Sequence, residues 1–256
     1  MSVTDGTGKG ALDRALHLLD YVSKHGPVSP TKAAEDIGVS RSASYRLVKQ
    51  LRERGYLEAV DGSDAVRVGV KVVEMGLAGL GGRDFVSLGS DMLRELAERT
   101  QEVAFLGVVD GDEVVYLAKE NGSTYSLQMS ARLGARRPLH ATGLGKAYLS
   151  ALPQDELDVV LKRLGYGALT ARTITDPQSL RADVEQARQR GYAVDNVENE
   201  DGVGCFAAPV HNHVGRPVCA ISVAGPAERL LPQEDTAAVL VMQTAQLISR
   251  RLGHRP

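Results

Sequence analysis

Two helix-start signals stand only eleven residues apart, Ser29-Pro30 and Ser40, with Gly38-Val39 just before the second. A serine at the N-cap accepts a backbone N–H that the first helical turn leaves free, and proline at the first helical position has no N–H to lose. Between the signals Ala33, Ala34 and Ile37 are predicted to face inward, small Ala34 allows close crossing, and Gly38 takes the positive-φ turn position. The second helix is predicted to run to about Arg54. Short helices joined by a three- to four-residue glycine turn make a helix-turn-helix. Ahead of it, Leu12, Ala15, Leu16, Leu19 and Val22 recur at helical spacing, predicting an amphipathic helix that ends at His25-Gly26-Pro27. Behind it, residues 56–60 and 65–68 alternate about a Gly62 turn, a small β-hairpin. Helix, helix-turn-helix and hairpin together predict a winged module.

The whole chain carries 30 basic and 32 acidic side chains, which excludes a uniformly basic coat for polyanions. Eleven aromatics without a tryptophan argue against a stacking platform for single strands. Within residues 40–54, however, Arg41, Arg46, Lys49, Arg52 and Arg54 face one acidic residue, Glu53. On this helix Ser44, Leu47, Val48 and Leu51 share the inward face, leaving Arg41, Ser42, Tyr45, Arg46 and Lys49 outward. A major groove about 12 Å wide admits one helix, whose first residues meet base edges while flanking cations and hydroxyls meet phosphates. Arg41, Ser42 and Tyr45 are the base-edge candidates, Arg46, Lys49 and Ser44 the phosphate candidates, and Ser40 joins them at the helix start. The alternative is a solvated helix face in a protein-interaction module. One winged module touches few phosphates, so useful affinity for duplex DNA calls for a dimer reading half-sites about 34 Å apart or a multiple.

The remaining chain divides readily. Residues 1–10 are expected to be a disordered tail, 11–68 the winged domain, 69–84 a linker helix weakened by Gly76, Gly79, Gly81 and Gly82, and 85–252 a second domain. In that domain residues 103–109 and 114–119 flank the hairpin turn Asp110-Gly111-Asp112, and 125–130 suggest a third strand. Helices are predicted over 85–100, 141–152, 154–164, 178–190 and 232–252, and strands over 192–196, 204–210 and 218–224. Strands in two blocks with short links predict an α+β domain with a mainly antiparallel sheet and flanking helices. Two cysteines make no disulfide scaffold, so reduced thiols and a cytoplasmic setting are expected. The first thirty residues lack the apolar region of a signal peptide, and the uncharged run Gly202 to Gly215 is 14 residues, too short for a bilayer, so no membrane partner is expected.

Several ordered blocks then support a resemblance: residues 134–149 (GARRPLHATGLGKAYL), 190–195 (RGYAVD) with Glu198, 202–210 (GVGCFAAPV) and 220–226 (AISVAGP). Together with the winged module, this arrangement resembles the IclR family of bacterial transcriptional regulators over residues 11–252. The resemblance implies a GAF-like effector domain, a bound small molecule such as an organic acid, assembly as a homodimer or dimer of dimers, and a repressor's role. Carried over by position, it implies an effector site of Ser126, Met129, Gly143, Leu144, Asp195, Val203, Cys205 and Ser222. Leu144 stands where some relatives have alanine, and Ala224 where some have serine. Two features of the residues agree: residues 140–144 sit at a helix start, which favours a carboxylate, and pairing Val210 with Pro217 would set Cys205 opposite Ser222 across a six-residue loop.

Other chemistry is set aside. Cys205, His211, His213 and Cys219 mimic a zinc set, but bringing the cysteines opposite would force a one-residue turn at Asn212. Residues 143–146 (GLGK) suggest a phosphate loop, yet His140 replaces its first glycine and Ala147 its hydroxyl residue. A metabolic enzyme using His140 with Lys146, or Cys205 with a histidine, lacks an orienting third group. No metal, cofactor or catalytic residue is therefore expected; an enzyme, or an activator of the same architecture, is the alternative.

Overall fold

The structure, a computed structural model, describes residues 10–81, 84–122 and 132–255. The expected tail at 1–9 and the third strand at 125–130 lie outside the described residues. The chain divides into two compact units, Met1–Arg83 and Asp84–Pro256.

The first unit holds α1 (Ala11–His25), α2 (Pro30–Ile37), α3 (Arg41–Glu53), β1 (Leu57–Ala59), β2 (Val66–Val68) and α4 (Val70–Gly81). Ser29 accepts the Lys32 N–H, Ser40 accepts the Ala43 N–H, and Gly38 stands at φ 71° between the helices. The hairpin pairs Leu57 with Val68 and Ala59 with Val66. Val28, just ahead of α2, bridges to Val66 and ties the wing to the helices. The buried stripe of α1 differs from expectation. Leu18 and Val22 fill the core, Ala15 and Leu19 are part-buried against it, and Leu12 and Leu16 are exposed. Apolar residues on α1 span a wider arc than the core beneath them can cover, so the helix turns its densest side inward.

The second unit runs α5 (Asp84–Thr100), β3 (Val103–Asp110), β4 (Glu113–Asn121), β5 (Arg136–Pro138), α6 (Gly143–Ser150), α7 (Gln154–Arg163), α8 (Pro177–Arg190), β6 (Ala193–Asn196), β7 (Val203–His211), β8 (Pro217–Pro226), α9 (Ala227–Leu230) and α10 (Glu234–Arg251). Its six strands form one antiparallel sheet in the order β5-β4-β3-β8-β7-β6. Because strand side chains alternate, one face sends Phe105, Cys205, Ala207 and Ala224 toward α6, α7 and α8. The opposite face sends Leu106, Phe206, Ile221 and Val223 toward α5 and α10.

The β7–β8 register corrects the sequence expectation. Val210 pairs with Cys219, His211 with Pro217, and Cys205 faces Ala224 while Ala207 faces Ser222. A bulge between Val210 and His211 shortens the connection, with Asn212 accepting the N–H groups of Val214 and Arg216. The register slips by two residues along the ladder. An even slip preserves the face, so Cys205 and Ser222 still share one surface as diagonal neighbours.

Candidate functional site

On α3 the cap at Ser40 starts the helix, and Leu47, Val48 and Leu51 anchor it in the core. Arg41, Ser42, Tyr45, Arg46 and Lys49 then stand exposed on the other face. Tyr45, a large side chain, is 48% exposed. The cations are held loosely: Arg41 is 3.4 Å from Glu35 and Lys49 is 3.9 Å from Glu53, both at well-exposed positions. Exposed pairs of that kind contribute little, so both side chains are available to an anion. Ser40 is committed to capping, and its hydroxyl also lies 3.2 Å from that of Ser42.

Ser44 does not fit its expected phosphate contact. It is fully buried, and its hydroxyl donates to the Pro30 carbonyl at 2.7 Å. A helix crossing tight enough to exclude water turns that hydroxyl into a strut between α3 and α2, satisfying a polar group that would otherwise be unpaired.

In the second unit, Gly143, Leu144, Asp195, Val203, Cys205 and Ser222 line one small cavity, together with Phe105, Tyr116, Thr142, Asn199 and Ala224. Ser126 and Met129 lie outside the described residues. Thr142 caps α6 by accepting the Gly145 N–H, aiming the first turn of the helix at the cavity. Gly143 is required there: a Cβ would come within 2.7 Å of Cys205 Sγ. Burial pushes the Cys205 thiol well above its ordinary range, against a lowering influence of the neighbouring Ser222 hydroxyl. The free volume is about 20 Å³, room for one water, so a metabolite needs the walls to part.

Asp195 is the ionisable group of the cavity. It is 4% exposed, and Oδ1 accepts the Glu198 N–H at 2.7 Å and the Asn199 N–H at 3.4 Å. Burial, with a smaller push from the neighbouring Glu198 carboxylate, raises its pKa to about 7.

Sequence reasoning missed Phe105, Tyr116, Thr142 and Asn199. Phe105 and Tyr116 follow only once the β3–β4 pairing is known, whereas Thr142 carried a legible signal as the residue ahead of a Gly-rich helix start. It also missed the setting of Lys146, whose side chain is wholly buried with Nζ 2.6 and 2.7 Å from the Glu198 oxygens and 2.9 Å from Asp183 Oδ2. His140, considered beside it as a base, is instead packed against Tyr166, its Nε2 3.0 Å from the Gly167 carbonyl. Among the described residues no cluster of three or more His, Cys, Asp or Glu side chains is arranged for a metal ion. No helix of the described residues is long and apolar enough to cross a membrane.

A winged helix-turn-helix with an exposed basic helix, coupled in one chain to a sheet domain enclosing a small buried cavity with a few polar groups, defines a DNA-binding regulator with a separate sensory unit. Comparison with known proteins carries this to a family. The model of the IclR helix-turn-helix domain matches residues 11–61, and that of the bacterial transcriptional regulator IclR C-terminal domain matches residues 78–250. The chain is 34% identical to the HTH-type transcriptional regulator XynR of Escherichia coli K12, covering 95% of this chain and 97% of XynR. It is 33% identical to the HTH-type transcriptional repressor AllR of Klebsiella pneumoniae, covering 97% and 92%. The crystal structure of the Thermotoga maritima IclR aligns with a TM-score of 0.82 at 33% identity, covering 95% of this chain and 98% of that one. The chain belongs to the IclR family of bacterial transcriptional regulators.

Proposed function

We propose that this regulator is a cytoplasmic repressor whose α3 enters the major groove of a partly palindromic operator and whose second unit releases or retains DNA on binding a small organic acid. The observation that carries the reading is the outward face of α3, where Arg41, Ser42, Tyr45, Arg46 and Lys49 are exposed while the opposite face is core. Arg41, Ser42 and Tyr45 are suited to base edges, and Arg46 and Lys49 to phosphates. Gly143, Leu144, Asp195, Val203, Cys205 and Ser222 are suited to the effector: an anion meets the first turn of α6, and the polar groups of Asp195 and Ser222 orient it. Ser126 and Met129 belong to this reading by resemblance alone. Nucleophilic catalysis is disfavoured because the Cys205 thiol is held protonated by burial, and a protonated thiol is a poor nucleophile.

The exposed apolar side of the first unit supports self-association. Leu12, Leu16 and Met75 are 73%, 54% and 54% exposed along a groove of about 800 Å³ between α1, α3 and α4. A second copy of the chain suits it, since two such modules would then read paired half-sites. Leu12→Glu with Leu16→Glu should shift the species seen by light scattering toward monomer.

The deciding experiment is footprinting of the promoters beside the gene, repeated across a thermal-shift-selected panel of small organic acids. A protected palindrome that weakens with one acid is the expected result; no protection under any condition sinks the reading. Asp195→Ala should alter the dose response while leaving effector-free DNA affinity nearly unchanged.

A further inference from the structure

We infer that Lys146 is a positioning residue for the effector cavity: by drawing Glu198 and Asp183 onto its ammonium, it holds the 195–199 turn against α6 and sets where Asp195 and Asn199 meet a ligand. The inference rests on the reading of that cavity as the effector site.

The turn is not a relaxed one. Val197 adopts φ 66°, left-handed backbone that a β-branched residue avoids. Such a conformation persists only where its surroundings over-determine it. Three sets of contacts do so here. Asp195 Oδ1 accepts the Glu198 N–H, Thr170 Oγ1 donates to the Val197 carbonyl at 2.7 Å, and Thr173 Oγ1 donates to the Glu198 carbonyl at 2.7 Å. Lys146 adds a fourth, reaching the Glu198 side chain from α6. Lys146 lies three residues after Gly143, so the helix that presents one cavity wall also grips the turn that presents the other.

A buried ion pair is a poor device for stability alone, because an apolar replacement of similar volume often does as well. Its directionality is what packing lacks. Both Glu198 oxygens bond the one ammonium, fixing the turn in rotation as well as distance, while Asp183 on α8 pairs with the same ammonium by charge at 2.9 Å. Asn199 Oδ1 is left buried and without a hydrogen-bond partner among the described residues, an acceptor on the cavity wall. A ligand hydroxyl or amide N–H would satisfy it.

The groups facing Asp195 make the test directional. They are Lys146 from α6 and Glu198 from its own turn, with the Cys205 thiol on β7 and the Tyr116 hydroxyl on β4, while Asp183 on α8 acts on Glu198. If Asp195 stays in place when Lys146 is removed, losing a nearby cation raises its titration midpoint. If Lys146 positions the turn, its loss lets water reach Asp195 and the midpoint falls toward the ordinary carboxyl value.

The experiment titrates the Asp195 carboxyl carbon by NMR in the full-length, effector-free protein, the resonance being assigned by its absence in Asp195→Asn. Lys146→Met is compared with Lys146→Met/Glu198→Gln, which leaves no buried glutamate charge and remains foldable if the single variant does not. The midpoint is expected to fall by at least about one pH unit, read for Lys146→Met against wild type and for the double variant against Glu198→Gln alone, because losing the Glu198 charge lowers it by itself. Modification of Cys205 by methyl methanethiosulfonate should accelerate at least about tenfold, with Cys219, buried on the opposite sheet face, as internal reference. A midpoint that holds or rises, or a Cys205 rate that stays at the wild-type value, overturns the inference. Neither readout needs an effector, so this failure is distinct from a failed effector screen.

Discussion

Helices α3 and α6 start alike and end up opposite. Each begins with a hydroxyl that caps its first turn, Ser40 on Ala43 and Thr142 on Gly145, and each carries positive charge, Arg41, Arg46 and Lys49 on α3 and the single Lys146 on α6. On α3 those cations face solvent beside weak, long contacts to Glu35 and Glu53. On α6, Lys146 is buried against two carboxylates. A cation left exposed is available to an outside anion, whereas a buried and paired one can act only on the chain's own structure. The same local grammar therefore builds a contact surface in one unit and an internal brace in the other.

The strongest way to break this comparison is at the brace. Lys146→Met should cost about 3–5 kcal/mol of stability, since it strands buried carboxylate, and a denaturant midpoint close to wild type would show that the pair bears no weight. On α3, Arg41→Ala with Arg46→Ala should weaken operator binding on the order of 100-fold or more in fluorescence anisotropy, leaving the thermal melt unchanged. Intact binding at moderate salt would remove α3 from the DNA.

Asp195 sharpens the contrast by pH. Its folded pKa, about 7, lies above the unfolded value, so the folded state binds the extra proton between the two. The stability this lends is complete below about pH 4 and is lost as pH rises through 7. Asp195→Asn cannot lose a proton; relative to wild type it should gain stability between pH 5 and 8, at up to about 1.4 kcal/mol per pH unit below 7. Parallel pH profiles for the two proteins would show that Asp195 is not buried as described. The smallest effect belongs to Ser44→Ala, expected to cost about 1 kcal/mol by leaving the Pro30 carbonyl without this donor, with DNA contacts untouched. A selective loss of DNA affinity at unchanged stability would return Ser44 to the phosphate set.

Much of the first unit was legible because its signals are local. Ser29, Pro30, Gly38 and Ser40 each act within a turn of where they stand, and they place both helices to within a residue or two. The sheet strands were legible by alternation, and alternation also put Cys205 and Ser222 on one face even though the assumed register was two residues off. The outward face of α1 was not legible, since Leu12 and Leu16 have the chemistry of core residues and only the extent of the opposing surface leaves them exposed.

What the chain by itself determined is where elements start, which way side chains alternate, and that basic residues cluster on a single helix, all properties of neighbours within a few positions. What only the tertiary structure decided is which of those charges would be buried. Lys146 and Glu198 are 52 residues apart, and no local rule brings them within 2.7 Å. Burial depends on the packing of α6, α8 and the turn after β6 together, and the low dielectric created there makes the pairing matter.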